Sequence, residues 1–143
     1  MPFGRWYPWV ALGLLLPAAG CESDPGPLTT VTGRVLYKGA PLKRGTIVFS
    51  PDEKRGGRGD LARAEIQPDG TYRLRTGDQD GVAEGWYRVT VVAVEAVDGP
   101  AGDSDFAVYR SLVPLKYRDP DLSGLDFQVK AGANNIADFH LSD

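Results

Sequence analysis

The chain has 143 residues, with 16 basic and 19 acidic side chains and a net charge of −3. That balance excludes a nucleic-acid partner, because phosphate binding needs a positive surface. One cysteine excludes an internal disulfide, and 18 glycines with 11 prolines favour many turns over long helices,.

Residues 1–20 read as a signal peptide. Arg5 is the basic residue, "VALGLLL" is a short apolar stretch, and Pro17, Ala18, Ala19 and Gly20 supply the small residues of a cleavage site,. The apolar run from Trp6 to Gly20 is shorter than the roughly 18 residues that cross a bilayer as a helix. Removing it leaves 123 residues, with 15 basic against 19 acidic side chains and Cys21 in front. "LLLPAAGC" resembles a bacterial lipobox, although Ala18 stands where leucine is commonest. The resemblance implies that Cys21 carries thioether-linked diacylglycerol and fatty acid, such as palmitate, so the lone thiol is an anchor and not a nucleophile. The alternative is ordinary cleavage and a soluble secreted or periplasmic protein. Glu22, in place of an aspartate after the cysteine, favours the outer membrane by resemblance to lipoprotein sorting.

Residues 21–28 then form the lipidated cysteine and a proline-broken tether, and residues 29–143 one domain,. In "TVTGRVLYK", Val31, Gly33, Val35 and Tyr37 share a face, and Leu42 in the next connection is placed to plug the core. Ile47 and Phe49 share a face in "TIVFSP". "ARAEI" and "TYRLRT" flank "QPDG", a hairpin signal with Gly70 at a positive φ. Ala64 and Ile66 face Tyr72 and Leu74 across it. In "GWYRVTVVAVE", Tyr87, Val89, Val91 and Ala93 line one face, while Val92 and Val94 make the other apolar as well. Residues 96–111 are expected to be a long connection. "LVPLKY", "GLDFQVKA" and "NNIADFHLS" complete the strands, with Leu125, Phe127 and Val129, then Ala137, Phe139 and Leu141, turned inward. No 3.6-residue period persists over three turns. The chain is expected to be an all-β sandwich.

Taken in order, "VTGRVLYKGAPLKRGTIVFSP", "IQPDGTYRL" and "GWYRVTVVAV" resemble the carboxypeptidase regulatory-like, transthyretin-like β-sandwich. "LVPLKYRDPDLSGLDFQVKAGANNIADFHL" looks like the version found in small lipoproteins of planctomycete-type bacteria. The resemblance spans about residues 29–142 and implies an Ig-like, prealbumin-like sandwich of about seven or eight strands. It implies no catalytic residue.

The chemistry-bearing residues are sparse. His140 stands alone, in the outward register of the last strand, and offers neither a Cys/His pair nor a zinc cluster. Some transthyretin-like proteins are hydrolases of purine breakdown with several histidines; "FHLSD" lacks them. Asp78 and Asp80 in "TGDQDG" are candidate calcium ligands, with Asp98, Asp103 and Asp105 further on. The spacing is not that of an EF-hand, and solvated turn residues are the plainer reading. "RGD" at residues 58–60 is an exposed tripeptide without functional weight. Trp86, Tyr72, Tyr109 and Tyr117 are the candidates for sugar stacking, against a packing role for Trp86 and Tyr72. Phe106 and Tyr109 make residues 96–111 the candidate partner-binding loop, and folding back over Val92 and Val94 is the structural alternative.

No cofactor is expected. The reading is a non-catalytic cell-envelope lipoprotein that displays a binding or structural module. Membrane lipid is its partner through Cys21, and an envelope protein or glycan is a further one. The alternatives are a glycan- or peptidoglycan-binding module, or the outer-membrane anchor of a larger envelope or secretion complex.

Overall fold

Val31 and Val35 of β1 (Val31–Tyr37) are fully buried and Arg34 between them is exposed, the two-residue period of a half-covered strand,. The computed structural model describes residues 26–97 and 108–143, together with Gly4. Cys21, Asp98, Asp103, Asp105 and Phe106 lie outside the described residues, as does most of the expected signal and tether.

β1 is the centre of the first sheet. On one side it pairs in parallel with β12 (Asn135–Ile136) and β13 (Phe139–Leu141). On the other it pairs antiparallel with β2 (Ala40–Pro41) and β5 (Thr71–Arg73). The second sheet is antiparallel. It runs in the order β11 (Leu125–Val129), β8 (Gly85–Val92), β3 (Thr46–Pro51), β4 (Ala62–Glu65), β6 (Arg75–Thr76), β7 (Gln79–Asp80). The two sheets close on one apolar core, and the chain is an all-β sandwich,. Thr29 is tied to the body by two backbone hydrogen bonds with Val82, of 2.8 and 2.9 Å.

The inward faces follow the alternation. Ile47 and Phe49, and Tyr87, Val89, Val91 and Ala93, are all completely buried, and Ala137, Phe139 and Leu141 are buried too. Leu42 is buried as a plug. Phe49 sits at the middle: its ring centroid lies 6.5 Å from Tyr72 and 6.1 Å from Phe139 across the core, and 6.0 Å from Tyr87 and 6.2 Å from Phe127 within its own sheet. Gly70 has φ +83°, as expected of its turn, and a Cβ there would lie 2.8 Å from the Val35 carbonyl oxygen,.

Three expectations are corrected. First, the Pro68–Gly70 turn forms, with the Gln67 amide donating to Thr71 at 2.8 Å, but its two arms do not stay together. β4 pairs with β6, while β5 between them pairs with β1. Leu74, fully buried, is the pivot: its amide donates to Val31 of the first sheet, and the next residue joins the second. Bends of this kind, at Leu74, Ala93 and residues 137–138, divide the strands into more and shorter segments than the seven or eight expected.

Second, "LVPLKY" is not a strand. Pro114 cannot donate to a ladder, and residues Leu115–Arg118 wind into a 3₁₀ turn,. That turn buries Tyr117, whose hydroxyl donates to the Ser142 carbonyl and accepts from the Ser142 amide, both at 2.9 Å.

Third, residues 96–111 are not one long connection. β9 (Val94–Val97) and β10 (Val108–Ser111) pair with each other in a two-stranded ribbon that joins neither sheet among the described residues. Val92 remains 36% exposed, so the outer face of β8 is open there.

Candidate functional site

The outward side chains of β1 and its neighbours form a trough, and the pairing register specifies which residues line it. Ile136, Thr32 and Arg73 stand in one row across β12, β1 and β5. Arg34 and Thr71 stand in the next, and Asp138 joins them by accepting the Arg34 amide on Oδ1 at 2.8 Å. Gly33 lies between the rows without a side chain, and the parting of β4 from β5 opens the far wall at Glu65. The resulting hollow measures about 940 Å³. A second hollow of about 430 Å³ continues from it, sharing Ala64, Glu65 and Arg75 and adding Arg63.

Four arginines therefore meet on this side of the molecule. Arg75 is spent: Nε pairs with Asp80 at 3.0 Å, and an Nη donates to the Asp78 carbonyl at 2.7 Å. Arg34, Arg63 and Arg73 are exposed and have no salt-bridge partner among the described residues. Two nearby carboxylates are already engaged. Asp138 holds the Arg34 amide, and Asp69 accepts the Thr71 hydroxyl at 2.6 Å and the Thr71 amide at 3.0 Å. Thr71, with a smaller contribution from the Arg34 charge, holds the Asp69 carboxyl below the usual carboxylate range,. Glu65 forms no ion pair among the described residues. Under the floor, the Tyr72 hydroxyl reaches past Gly33 and donates to the Ala137 carbonyl. Burial, and after it the Asp138 charge, pushes that phenol far above its ordinary range, so Tyr72 is a neutral structural donor,.

The residues singled out from sequence are scattered. Asp78 lies in the tight turn between β6 and β7 and Asp80 in β7 itself, where the Arg75 guanidinium already neutralises it, which leaves a poor cradle for calcium,. Among the described residues no three His, Cys, Asp or Glu side chains come together as metal ligands. His140 faces outward beside Leu36, and its imidazole has no hydrogen-bond partner among the described residues. The tripeptide at residues 58–60 is exposed. Tyr72 and Tyr117 are buried, so among the described residues the aromatic side chains do not gather into a stacking surface. Tyr109 stands on the ribbon, 65% exposed beside Val108 at 46%. The arginines on this side were legible only as outward positions in "TGRVLY", "ARAEI" and "TYRLRT".

Trp86 belongs to a different cluster. The Arg55 guanidinium lies over its ring, 4.4 Å from the centroid,. Arg55 Nε also donates to Asp52 at 2.7 Å and Nη1 to Asp126 at 3.0 Å, while Arg88 joins Asp52 to Asp121. Asp52 is buried, and its second oxygen accepts the Lys54 amide at 3.2 Å. These contacts tie the turn at Glu53–Arg55 to β8 and β11. Arg55 foremost, and Arg88 with it, holds the Asp52 carboxyl below the usual range against the opposing effect of burial,.

A depressed carboxyl stabilises the fold above its unfolded value of about 3.9, and that stabilisation is lost as pH falls through the folded value. The thermal midpoint is therefore expected to drop on acidification from about pH 5. Asp52→Asn should melt lower at neutral pH and lose part of this acid dependence. A variant with the wild-type midpoint and the wild-type slope would refute the role given to Asp52.

No family model and no curated protein matches the chain. Among solved structures, it is similar to a 9R-lipoxygenase from Cyanothece PCC8801, with 17% identity and a TM-score of 0.38. The match covers 81% of this chain but only 16% of that one. At that level the likeness carries no argument about fold or activity.

Proposed function

We propose that this chain is a non-catalytic, lipid-anchored β-sandwich that serves the cell envelope as a binding module. The observation that carries the reading is the trough over β1: a recess with unpaired arginines at its rim, laid on a ladder that is hydrogen-bonded on both sides. Such a floor fixes the backbone positions from which those side chains project, so that binding has only the side chains to order,. The anchor rests on "LLLPAAGC" and on the short stretch between Cys21 and Thr29, which keeps the domain near the bilayer. Soluble export without lipid is the alternative at this step.

Cys21→Ala decides between them. Wild-type protein expressed with labelled palmitate should carry label and fractionate with membranes, the outer one favoured by Glu22. The variant should lose the label and accumulate as precursor or appear in the soluble fraction. Membrane retention with no lipid on the mature wild-type protein would overturn the anchor.

The ribbon favours a second reading, that of a partner-holding anchor for a larger envelope assembly. A two-stranded hairpin is marginally stable by itself in water, and Val108 and Tyr109 are exposed on this one,. Removing residues 98–107 leaves the sandwich intact in that reading and abolishes capture of the partner.

A further inference from the structure

We infer that the trough over β1 binds a glycan that bears carboxylates, of the uronic-acid class, with Arg34 and Arg73 as the carboxylate-binding residues. The inference deepens the binding-module reading and is independent of the lipid anchor.

Arg34 and Arg73 stand on adjacent strands two residues out of register, since Arg34 pairs with Thr71 and Thr32 with Arg73. Diagonal neighbours of this kind are about 7–8 Å apart at Cα, within reach of two long side chains that converge on one ligand. A guanidinium takes a carboxylate through two parallel N–H donors, and neither of these has an ion-pair partner to give up,. A ligand anion therefore meets no competing salt bridge at either one.

The other lining groups narrow the ligand. Glu65 and Asp138 stand in the same trough, and Asp69 borders it. A polyphosphate brings those carboxylates further charge and acceptor oxygens, with no hydrogen-bond donor to offer them. A uronate chain carries one carboxylate per sugar and several hydroxyls. The hydroxyls can donate to Glu65 and to the second oxygen of Asp138 and accept from Thr32 and Gln67,. Ile136, 56% exposed at one end, offers an apolar contact to a sugar face. Among the described residues no exposed aromatic side chain stands at the rim to stack a neutral sugar, since Tyr72 lies buried below. The recess extends over three strands and is far larger than one carboxylate, which suits several linked sugars,.

The test uses the full mature chain and two probes, oligogalacturonate and the same oligosaccharide fully methyl-esterified, followed by titration calorimetry. The acid form should bind, and more weakly as salt is raised. The ester should bind at least about tenfold more weakly, and Arg34→Ala/Arg73→Ala should lose a similar factor for the acid form. Both arginines are exposed, so the double variant is expected to keep the wild-type melting midpoint, which Trp86 fluorescence reports,. An acid form that does not bind, an ester that binds equally, or a folded double variant with undiminished affinity overturns the inference. None of these results bears on palmitate labelling at Cys21.

Discussion

Phe49→Ala is expected to cost about 3–5 kcal/mol of folding stability, the range for deleting a buried aromatic ring from a packed core. A domain of this size has only about 5–15 kcal/mol in total, so one substitution removes a large share. The size follows from position. Phe49 is fully buried and touches Tyr72 and Phe139 from one sheet and Tyr87 and Phe127 from the other. Its directly paired neighbours are Val89 and the small Ala62, which cannot expand into the space. The cavity would remain, and the ring-to-ring contacts that register one sheet on the other would be lost. The thermal midpoint should fall by roughly 10–20 °C. Val92→Ala, at an exposed position of the same sheet, should stay within about 0.5 kcal/mol of wild type,. If both variants melt together, Phe49 is not the keystone of the interface between the sheets.

Gly33→Ala is the second large effect, at about 2–4 kcal/mol from overpacking together with a displaced hydrogen bond. Gly33 is needed for space and not for its dihedral angles. The Ala137 carbonyl and the Tyr72 hydroxyl, 2.8 Å from where a Cβ would stand, close over it. The Tyr72 hydroxyl reaches the Ala137 carbonyl only because nothing projects between them. A methyl group there either pushes β12 off β1 or breaks that hydrogen bond and leaves a buried polar atom unsatisfied. The cycle with Tyr72→Phe separates the two. If the hydroxyl is the obstacle, the double variant is more stable than the sum of the single losses predicts. Strict additivity would place the clash on the backbone of Ala137 alone. An unchanged midpoint in Gly33→Ala would mean that the β1–β12 pairing does not have this close approach.

Features that depend on short range can be read from the chain alone. Alternation with a period of two is visible in "TIVFSP", "GWYRVTVV" and "FHL", and it marks which side chains are inward because the pleat allows no other arrangement. The inward sets Ile47/Phe49, Tyr87/Val89/Val91/Ala93 and Ala137/Phe139/Leu141 follow from it, as does the outward position of His140. Pro68, Asp69 and Gly70 specify a turn through their own dihedral preferences.

Which strand lies beside which is a matter of partner choice over long sequence separation, and no local pattern encodes it. "TYRLRT" reads as one arm of a hairpin, yet Leu74 splits it, because its side chain is buried in the core while its amide bonds back to Val31. "LVPLKY" has strand-like residues, yet burying Tyr117 against Ser142 in a turn satisfies both partners where a ladder would meet Pro114. The trough depends on the same long-range choices. Arg34 and Arg73 are outward in any register, but they become neighbours only when β5 leaves β4 for β1, and the recess between them exists only because β12 returns in parallel from the far end of the chain.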